Sequence, residues 1–406
     1  MEYHIFTLLN GIRVIHQHTN SKVAHCGMII NTGSRDENSS ELGMAHFVEH
    51  VLFKGTEKRK AYHIISRLED VGGEIDAYTT KEEICIYASF LCSHFERTIE
   101  LLGDILFHST FPDKELKKEK DVIIDEINSY KDSPAELIFD DFEDMVYAGH
   151  PLGKNILGTP KMLKKYGKKQ IIQFIEKTFN TDEMVFSSVG NIEINKLKKL
   201  IEKYFGAIPA NYRNFKREIF QNYIPLSKNV HKDTHQSHCL IGNIAYDLNN
   251  EKRIALSLLN NLLAGPGMNS RLNMILREKH GLVYNVESSY SAYSDTGIIN
   301  IYFGTDKHDL DKSIDLVMLE LKKLRDQKLG TLQLSKAKQQ MIGQIAISQD
   351  SNETTMLTLG KSLLIFNKVD SEEDTYRKIQ SITASNLLEA ANEIFDPQQL
   401  SILIYK

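Results

Sequence analysis

The sequence predicts an α+β fold of two tandem homologous domains, each a mostly antiparallel sheet with helices packed on one face. Three observations lead to this prediction. The chain has 406 residues, which suits two domains of roughly 200 residues better than one core. Short strand-like runs recur in both halves at a shift of roughly 213 positions. A segment with helical periodicity follows the second run in each half, and this order favours helices layered on sheets.

The recurring runs pair one by one along the two halves. Residues 25–30 align with 238–243, and residues 84–90 align with 297–303. In the helical segment at 98–106 the apolar residues recur with a period of about 3.6 and form one stripe. Each half therefore reads as a strand, a helix, a pair of strands and a helix.

A polar stretch between the halves predicts the domain boundary. It runs over residues 208–226 and has Pro209 and Pro225 near its ends. We predict an N-terminal domain at 1–207, a linker at 208–226 and a C-terminal domain at 227–406.

Composition excludes several classes of function. The hydrophobic fraction of 41% and charged fraction of 25% are ordinary for a globular protein, and a net charge of -5 provides no basic field for nucleic acid. No run approaches the roughly 18 apolar residues of a membrane span, and the first residues lack a signal or transit peptide pattern. We expect a cytoplasmic protein with surface histidines at positions 16, 18, 231 and 235. Four cysteines stand singly in apolar segments and are expected to be reduced: Cys26, Cys85, Cys92 and Cys239.

The segment 41–53 carries a His-x-x-Glu-His motif with helical spacing. On a helix, His46, Glu49 and His50 share one face, because positions i, i+3 and i+4 lie above one another. Two imidazoles one turn apart reach a single tetrahedral metal, and the carboxylate between them reaches a water bound to it. This arrangement is typical of hydrolysis, with Glu49 as general base. The alternative, two surface histidines on an amphipathic helix, fits poorly with the apolar residues that flank the motif.

A third protein ligand is needed for a catalytic site with one open position. Residues 119–128 offer Glu119 and Glu126, which lie two helical turns apart on the same face. Spacing alone does not choose between these glutamates, nor does it exclude Asp125.

Beyond the motif, the chain resembles the inverzincin zinc peptidases, the family of pitrilysin, insulin-degrading enzyme and mitochondrial processing peptidase, which carry this inverted motif. The similarity covers nearly the whole chain. It is found in residues 31–37, 43–56, 71–73, 77–79, 119–128 and 270–284.

The resemblance implies a role for each candidate residue. Zn²⁺ is held by His46, His50 and Glu126, and Glu119 supports the site. In the C-terminal half, Arg277 and Tyr284 match a pair that holds substrate and stabilises the tetrahedral oxyanion.

The resemblance also implies that substrates add a strand to a sheet edge formed by Gly73, Glu74, Ile75, Asp76 and Ala77. Asp76 departs from the family pattern, in which asparagine is expected. An additional carboxylate beside the cleft is expected to disfavour acidic peptides or favour basic ones.

The sequence therefore predicts a zinc metalloendopeptidase that hydrolyses short unstructured peptides, without nucleic acid or membrane partners. Four-domain members of the family enclose a chamber, and a chain of this length supplies half of one, so a homodimer is implied. The alternative function is a non-catalytic structural or partner subunit of a peptidase-like complex.

Overall fold

In the computed structural model, which describes residues 3–406, strands form two separate sheets. The strands are β1 (Tyr3–Thr7), β2 (Arg13–His18), β3 (Val23–Ile30), β4 (Glu74–Thr79), β5 (Ile84–Leu91), β6 (Met184–Gly190), β7 (Ser227–Val230), β8 (Ser237–Ala245), β9 (Val283–Ala292), β10 (Gly297–Thr305) and β11 (Ser401–Tyr405).

Helices fill most of the connections between these strands. They are α1 (Met44–Leu52), α2 (Ala61–Glu69), α3 (Phe95–Phe107), α4 (Asp113–Lys131), α5 (Pro134–Val146), α6 (Pro160–Leu163), α7 (Lys168–Thr178), α8 (Ile194–Phe205), α9 (Arg253–Ala264), α10 (Leu310–Asp326), α11 (Thr331–Gln349), α12 (Asn352–Phe366), α13 (Glu372–Ser381) and α14 (Ala384–Ile394), with a π-helix at Asn273–Lys279.

The two sheets repeat one topology. The first has the order β1-β2-β6-β3-β5-β4 and the second the order β7-β11-β8-β10-β9. Apart from β1, the orders correspond strand for strand, and each sheet has one parallel pair, β2 with β6 and β7 with β11. The remaining pairs are antiparallel. The α+β class and the internal duplication predicted from the sequence are confirmed.

Successive side chains of a strand point to opposite faces of the sheet, so apolar residues in these strands lie on both faces of the first sheet. In β3, Cys26, Met28 and Ile30 join the main core, to which the helices that include α1 and α3 contribute. Ile29, between them, points to the opposite face and joins a smaller apolar cluster with Met356 of α12. Each face therefore has its own helical cover, whereas the sequence predicted helices on one face.

The compact units are not contiguous along the chain. The first contains the chain up to Asn128, with Lys154–Arg217 and Ile347–Ser371, and thus takes α12 from the C-terminal half. The second contains Ser129–Gly153, Glu218–Ala346 and Glu372–Lys406, and takes α5 from the N-terminal half. The contiguous domains at 1–207 and 227–406 stay a prediction about the repeated sequence, because the packing exchanges one helix in each direction.

The exchanged helices fill equivalent places in their sheets. α12 packs on β2, β3 and β6 of the first sheet, and α5 packs on β8 and β11 of the second. Phe142 of α5 lies in an apolar cluster with Leu240 and Leu403 of those strands. Local periodicity does not reveal this exchange, because a helix of either half presents a similar apolar stripe.

The predicted linker has no helix or strand between the end of α8 and the start of β7. Arg213 and Arg217, in its middle, donate hydrogen bonds to the carboxylate of Asp36, which follows β3. This part of the linker is therefore fixed to the first unit by ion pairs.

Among the histidines expected at the surface, His16 is buried, so that expectation was wrong. It lies in β2, and its Nδ1 is 2.9 Å from the hydroxyl of Ser188. Burial lowers the pKa of His16 to about 4, so the ring is neutral at physiological pH. His18, His231 and His235 are exposed.

None of the cysteines forms a disulfide within the described residues. Over the same range of the chain, each helix is too short or too polar to cross a bilayer.

A glycine in α12 tests how closely this helix approaches the first sheet. A Cβ atom at Gly360 would lie 2.3 Å from Ile29 Cδ1 and 2.9 Å from Ser187 Cβ. We expect Gly360→Ala to lower the free energy of unfolding by about 1–3 kcal/mol through overpacking. Urea unfolding monitored by circular dichroism measures this change.

The matched control is Gly343→Ala in α11, where a Cβ atom would meet nothing within 4 Å. Because alanine favours helix over glycine by up to about 1 kcal/mol, this variant should be unchanged or more stable. Equal stability of the two variants would contradict the close contact of α12 with β3 and β6.

Candidate functional site

The N-terminus of α1 is held by a buried carboxylate. Glu37 accepts hydrogen bonds from the backbone amides of Gly43 and Ala45, both at 2.8 Å. These amides belong to the first turn, whose N–H groups lack partners within the helix. Burial raises the pKa of Glu37, while the hydrogen bonds from the two amides oppose the rise. Gly43 has a φ of +85°, and a Cβ atom on it would lie 2.6 Å from the Leu157 carbonyl oxygen. The position and direction of α1 are thereby fixed.

The predicted motif lies on this helix, with its two imidazoles side by side. The ring centroids of His46 and His50 are 4.6 Å apart. Met44, Phe47, Val48 and Val51 are buried in the main core and anchor the other sides of the helix. Burial, with His50 nearby, lowers the pKa of His46 to about 3, so this imidazole is neutral and keeps a lone pair.

Glu126 of α4 faces both imidazoles. Its Oε2 atom lies 3.8 Å from Nε2 of His46 and 3.8 Å from Nε2 of His50. These separations exceed hydrogen-bond length, whereas tetrahedral ligands about 2.0–2.1 Å from one ion lie roughly 3.4 Å apart. Two imidazoles and a carboxylate are a ligand set that fits Zn²⁺ chemically. The structure thus brings His46, His50 and Glu126 together, while Asp125 is exposed and lies outside this group.

Glu119 lies behind His50. Its Oε2 atom is 3.2 Å from Nδ1 of His50, and its Oε1 atom is 2.8 Å from Nζ of Lys54. The pKa of Glu119 is lowered, because these hydrogen bonds outweigh the opposing effect of burial. An ionised Glu119 accepts the Nδ1 proton of His50, which leaves Nε2 of that ring as the lone-pair donor.

Glu49 is half-buried on the same face of α1. Its Oε2 atom accepts a hydrogen bond of 2.5 Å from the hydroxyl of Thr79, the last residue of β4. Burial raises the pKa of Glu49, while Thr79 and His50 oppose the rise. A carboxylate with a raised pKa is better matched to accepting and returning a proton near neutrality.

The predicted substrate edge coincides with β4. Among the described residues, this strand stands at the end of its sheet and pairs with β5 on one side, so its other side is open. Glu74 to Ala77 lie within the strand, and Gly73 precedes it. Ile75 and Ala77 pack against the main core, whereas Glu74 and Asp76 are exposed.

Arg277 and Tyr284 lie in the second unit. Arg277 is near the end of the π-helix, and Tyr284 is near the start of β9, the edge strand of the second sheet. Gly281 connects the two elements with a φ of +61°. Both side chains are exposed, Tyr284 by 75%, so they are accessible to a ligand.

Three residues that touch the site were not predicted as site residues: Glu37, Lys54 and Thr79. All three stand in segments that carry the resemblance, but their spacing from the motif gives no sign of contact. Only folding brings the loop after β3 to the amides of α1, and the end of β4 to Glu49.

The chain matches two family models. The model described as "Insulinase (Peptidase family M16)" matches residues 13–160, and the model described as "Peptidase M16 inactive domain" matches residues 166–341. The first match contains the motif, Glu119 and Glu126, and the second contains Arg277 and Tyr284.

Relatives and solved structures match over nearly the full length. A Bacillus subtilis protein named "Uncharacterized zinc protease YmxG" is 32% identical and covers 98% of this chain and 97% of its own. An "Uncharacterized zinc protease" of Rickettsia felis is 32% identical over 93% of this chain and 91% of its own.

Two crystal structures show the same fold. A Helicobacter pylori protease has a TM-score of 0.89 at 21% identity, and covers 100% of this chain and 99% of its own. A Pseudomonas fluorescens structure titled as a peptidase M16 inactive domain has a TM-score of 0.93 at 19% identity, with coverages of 100% and 98%. Together with the family models and the 32% identical relatives, these matches lead to one conclusion: the chain is a two-domain member of the M16 (insulinase) peptidase family.

Proposed function

We propose that this protein is a zinc-dependent endopeptidase that hydrolyses short unstructured peptides. The observation that carries the proposal is the convergence of His46, His50 and Glu126, with Glu49 on the same helical face. Two relatives carry names that call them zinc proteases, which supports the choice of zinc as the metal. When bound, Zn²⁺ supplies Lewis acidity, which makes water more acidic and polarises a peptide carbonyl.

Glu49 is the general base in this proposal. Its carboxylate accepts the proton of the attacking water and later passes it to the leaving amine. The hydroxyl of Thr79 occupies Oε2 and holds the carboxylate in one orientation, which leaves Oε1 for the proton. Glu119 orients His50 through Nδ1, and Lys54 fixes Glu119 in turn.

The open side of β4 is the proposed binding place for the peptide. An extended chain added to this edge is held by backbone hydrogen bonds, which provide affinity without strong sequence preference. Thr79 at the end of the same strand touches Glu49, so a peptide aligned on β4 passes close to the general base. Folded substrates are excluded, because they lack a free extended backbone.

Arg277 and Tyr284 complete the proposal as a substrate contact and an oxyanion donor. We propose that they are supplied by the second copy of a homodimer, with two equivalent sites per dimer.

Replacing Glu49 by glutamine tests the general base. Because the amide cannot accept the proton, we expect Glu49→Gln to lower kcat for a pooled set of unstructured peptides by about 10² to 10⁴. Mass spectrometry of the fragments measures cleavage, and elemental analysis measures bound zinc, which should be retained. Glu69→Gln, an exposed position of α2, is the control for the same chemical change. If the zinc-loaded wild type cuts no peptide, a non-catalytic partner subunit becomes the better explanation.

Removing the Thr79 hydroxyl tests its hold on Glu49. Thr79→Val keeps the size of the side chain but donates no hydrogen bond, so we expect kcat to fall about tenfold to a hundredfold. KM and zinc affinity should stay within twofold, because the β4 backbone and the metal ligands are unchanged. Thr79→Ser, which keeps the hydroxyl, should restore most of the rate. A higher KM with an unchanged kcat would contradict this role, as would a Thr79→Ser variant as slow as Thr79→Val.

Mixing two inactive variants tests the homodimer. Glu49→Gln and Arg277→Ala each disable one part of the site, and subunit exchange places the intact parts in one dimer. Half of the dimers in an equal mixture are mixed and each has one complete site, so we expect about a quarter of wild-type activity. No recovery, in a sample whose mixed dimers are verified by native mass spectrometry, would show that each copy completes its own site.

A further inference from the structure

Asp76 lies in β4, the open edge strand of the first sheet, and its side chain accepts a hydrogen bond from the backbone of the same strand. Its Oδ1 atom accepts a hydrogen bond of 2.8 Å from the backbone amide of Ala77. Its Oδ2 atom is 3.4 Å from the hydroxyl of Tyr87, the residue opposite it on β5. Asp76 is exposed, so this contact faces solvent.

The pattern of hydrogen bonds between β4 and β5 shows which amides face the open side. At the turn, the Thr80 amide donates to the Glu83 carbonyl at 2.8 Å. Hydrogen-bonded and non-hydrogen-bonded pairs alternate along an antiparallel ladder. Counting from the Thr80–Glu83 pair, the backbone groups of residues 78 and 76 bond to β5, whereas those of residues 79, 77 and 75 face away from it. The Ala77 N–H therefore points to the open side, and Asp76 is its acceptor.

This contact occupies a group that a peptide needs. When a strand adds to an edge, its carbonyl oxygens accept hydrogen bonds from the outward amides. The amide of Ala77 lies between those of Ile75 and Thr79, and thus in the middle of the available row. A peptide carbonyl bonds there only after the Asp76 carboxylate has moved away.

We infer that Asp76 masks the Ala77 amide and makes the edge selective for peptides with a basic side chain beside it. This inference rests on the proposed peptidase function. The two hydrogen-bond donors to the carboxylate, the Ala77 amide and the Tyr87 hydroxyl, are neutral. A lysine or arginine of the peptide offers a charge-assisted hydrogen bond, which is roughly twice as strong as a neutral one.

In the proposed exchange, the Asp76 carboxylate loses its hydrogen bond from the Ala77 amide and accepts one from the ammonium or guanidinium group of the peptide. The freed Ala77 amide then donates a hydrogen bond to a peptide carbonyl. An acidic peptide gains nothing when it displaces Asp76, because the two carboxylates repel each other. The mask also covers an unpaired edge amide while no peptide is bound, as charged side chains commonly do on edge strands.

The test measures binding separately from cleavage, in the Glu49→Gln background with zinc bound. Fluorescence anisotropy gives Kd for three labelled peptides that differ at one position, with lysine, glutamine or glutamate. We expect the lysine peptide to bind about tenfold tighter than the glutamate peptide when Asp76 is present. With Asp76→Asn or Asp76→Ala this ratio should fall to about twofold, because the charge is gone.

The two variants separate charge from masking. Asparagine keeps an oxygen that can accept the hydrogen bond from the Ala77 amide, whereas alanine leaves this amide without a side-chain acceptor. The glutamine peptide should therefore bind about threefold tighter to Asp76→Ala than to Asp76→Asn. Glu69→Gln removes the same charge from an exposed position of α2, outside the edge, and should leave the lysine-to-glutamate ratio within twofold of its value with Asp76 and Glu69 intact.

Two results would overturn the inference. One is a lysine-to-glutamate ratio that the Asp76 variants change no more than Glu69→Gln does, which would indicate no effect of Asp76 or a general surface charge effect. The other is the absence of saturable binding by all three peptides. Failure of the proposed function shows instead in the cleavage assay of the wild type, where no fragment would form.

Discussion

The hydrogen bonds from the amides of Gly43 and Ala45 to Glu37 are the contact on which the site depends. Helix α1 carries both candidate imidazoles and the candidate base, so any shift of its first turn moves all three at once. Glu37 is buried, and a buried carboxyl group is stabilised where hydrogen bonds replace those it would make to water. The helix amides need an acceptor for the same reason, and the two requirements are met by one contact.

Two further elements set the geometry around α1. Helix α4 brings Glu126 to the Nε2 atoms of both imidazoles and Glu119, two turns earlier, to the Nδ1 atom of His50. Strand β4 brings Thr79 to Glu49 from the sheet. The proposed general base is thus held by the strand that has the open edge, so the proposed peptide-binding edge and Glu49 share one structural support.

The duplication explains why the molecule has two sheets of one topology, and the exchange of helices explains why its units are discontinuous. Each sheet has a large core on one face and a smaller apolar surface on the other. A sheet with one bare apolar face is poorly soluble, so both faces need cover. α12 and α5 provide that cover across the boundary of the repeat, and the close approach of Gly360 to Ile29 and Ser187 shows how tightly one of them fits.

The sequence by itself determined the α+β class, the repeat, the motif on α1 and the two glutamates on α4, because these follow from periodicity and spacing within single elements. The resemblance selected Glu126 over Glu119 and Asp125 as the third member of the cluster, and the structure places its Oε2 atom 3.8 Å from both imidazoles. The cover on the second face of each sheet, the burial of His16 and the roles of Glu37, Lys54 and Thr79 were not predicted. Each of these depends on residues far apart in the chain, and their contacts are decided by how helices and strands pack. The mask of Asp76 on Ala77 joins neighbouring residues, yet only the register of β4 against β5 decides that this amide faces the open edge.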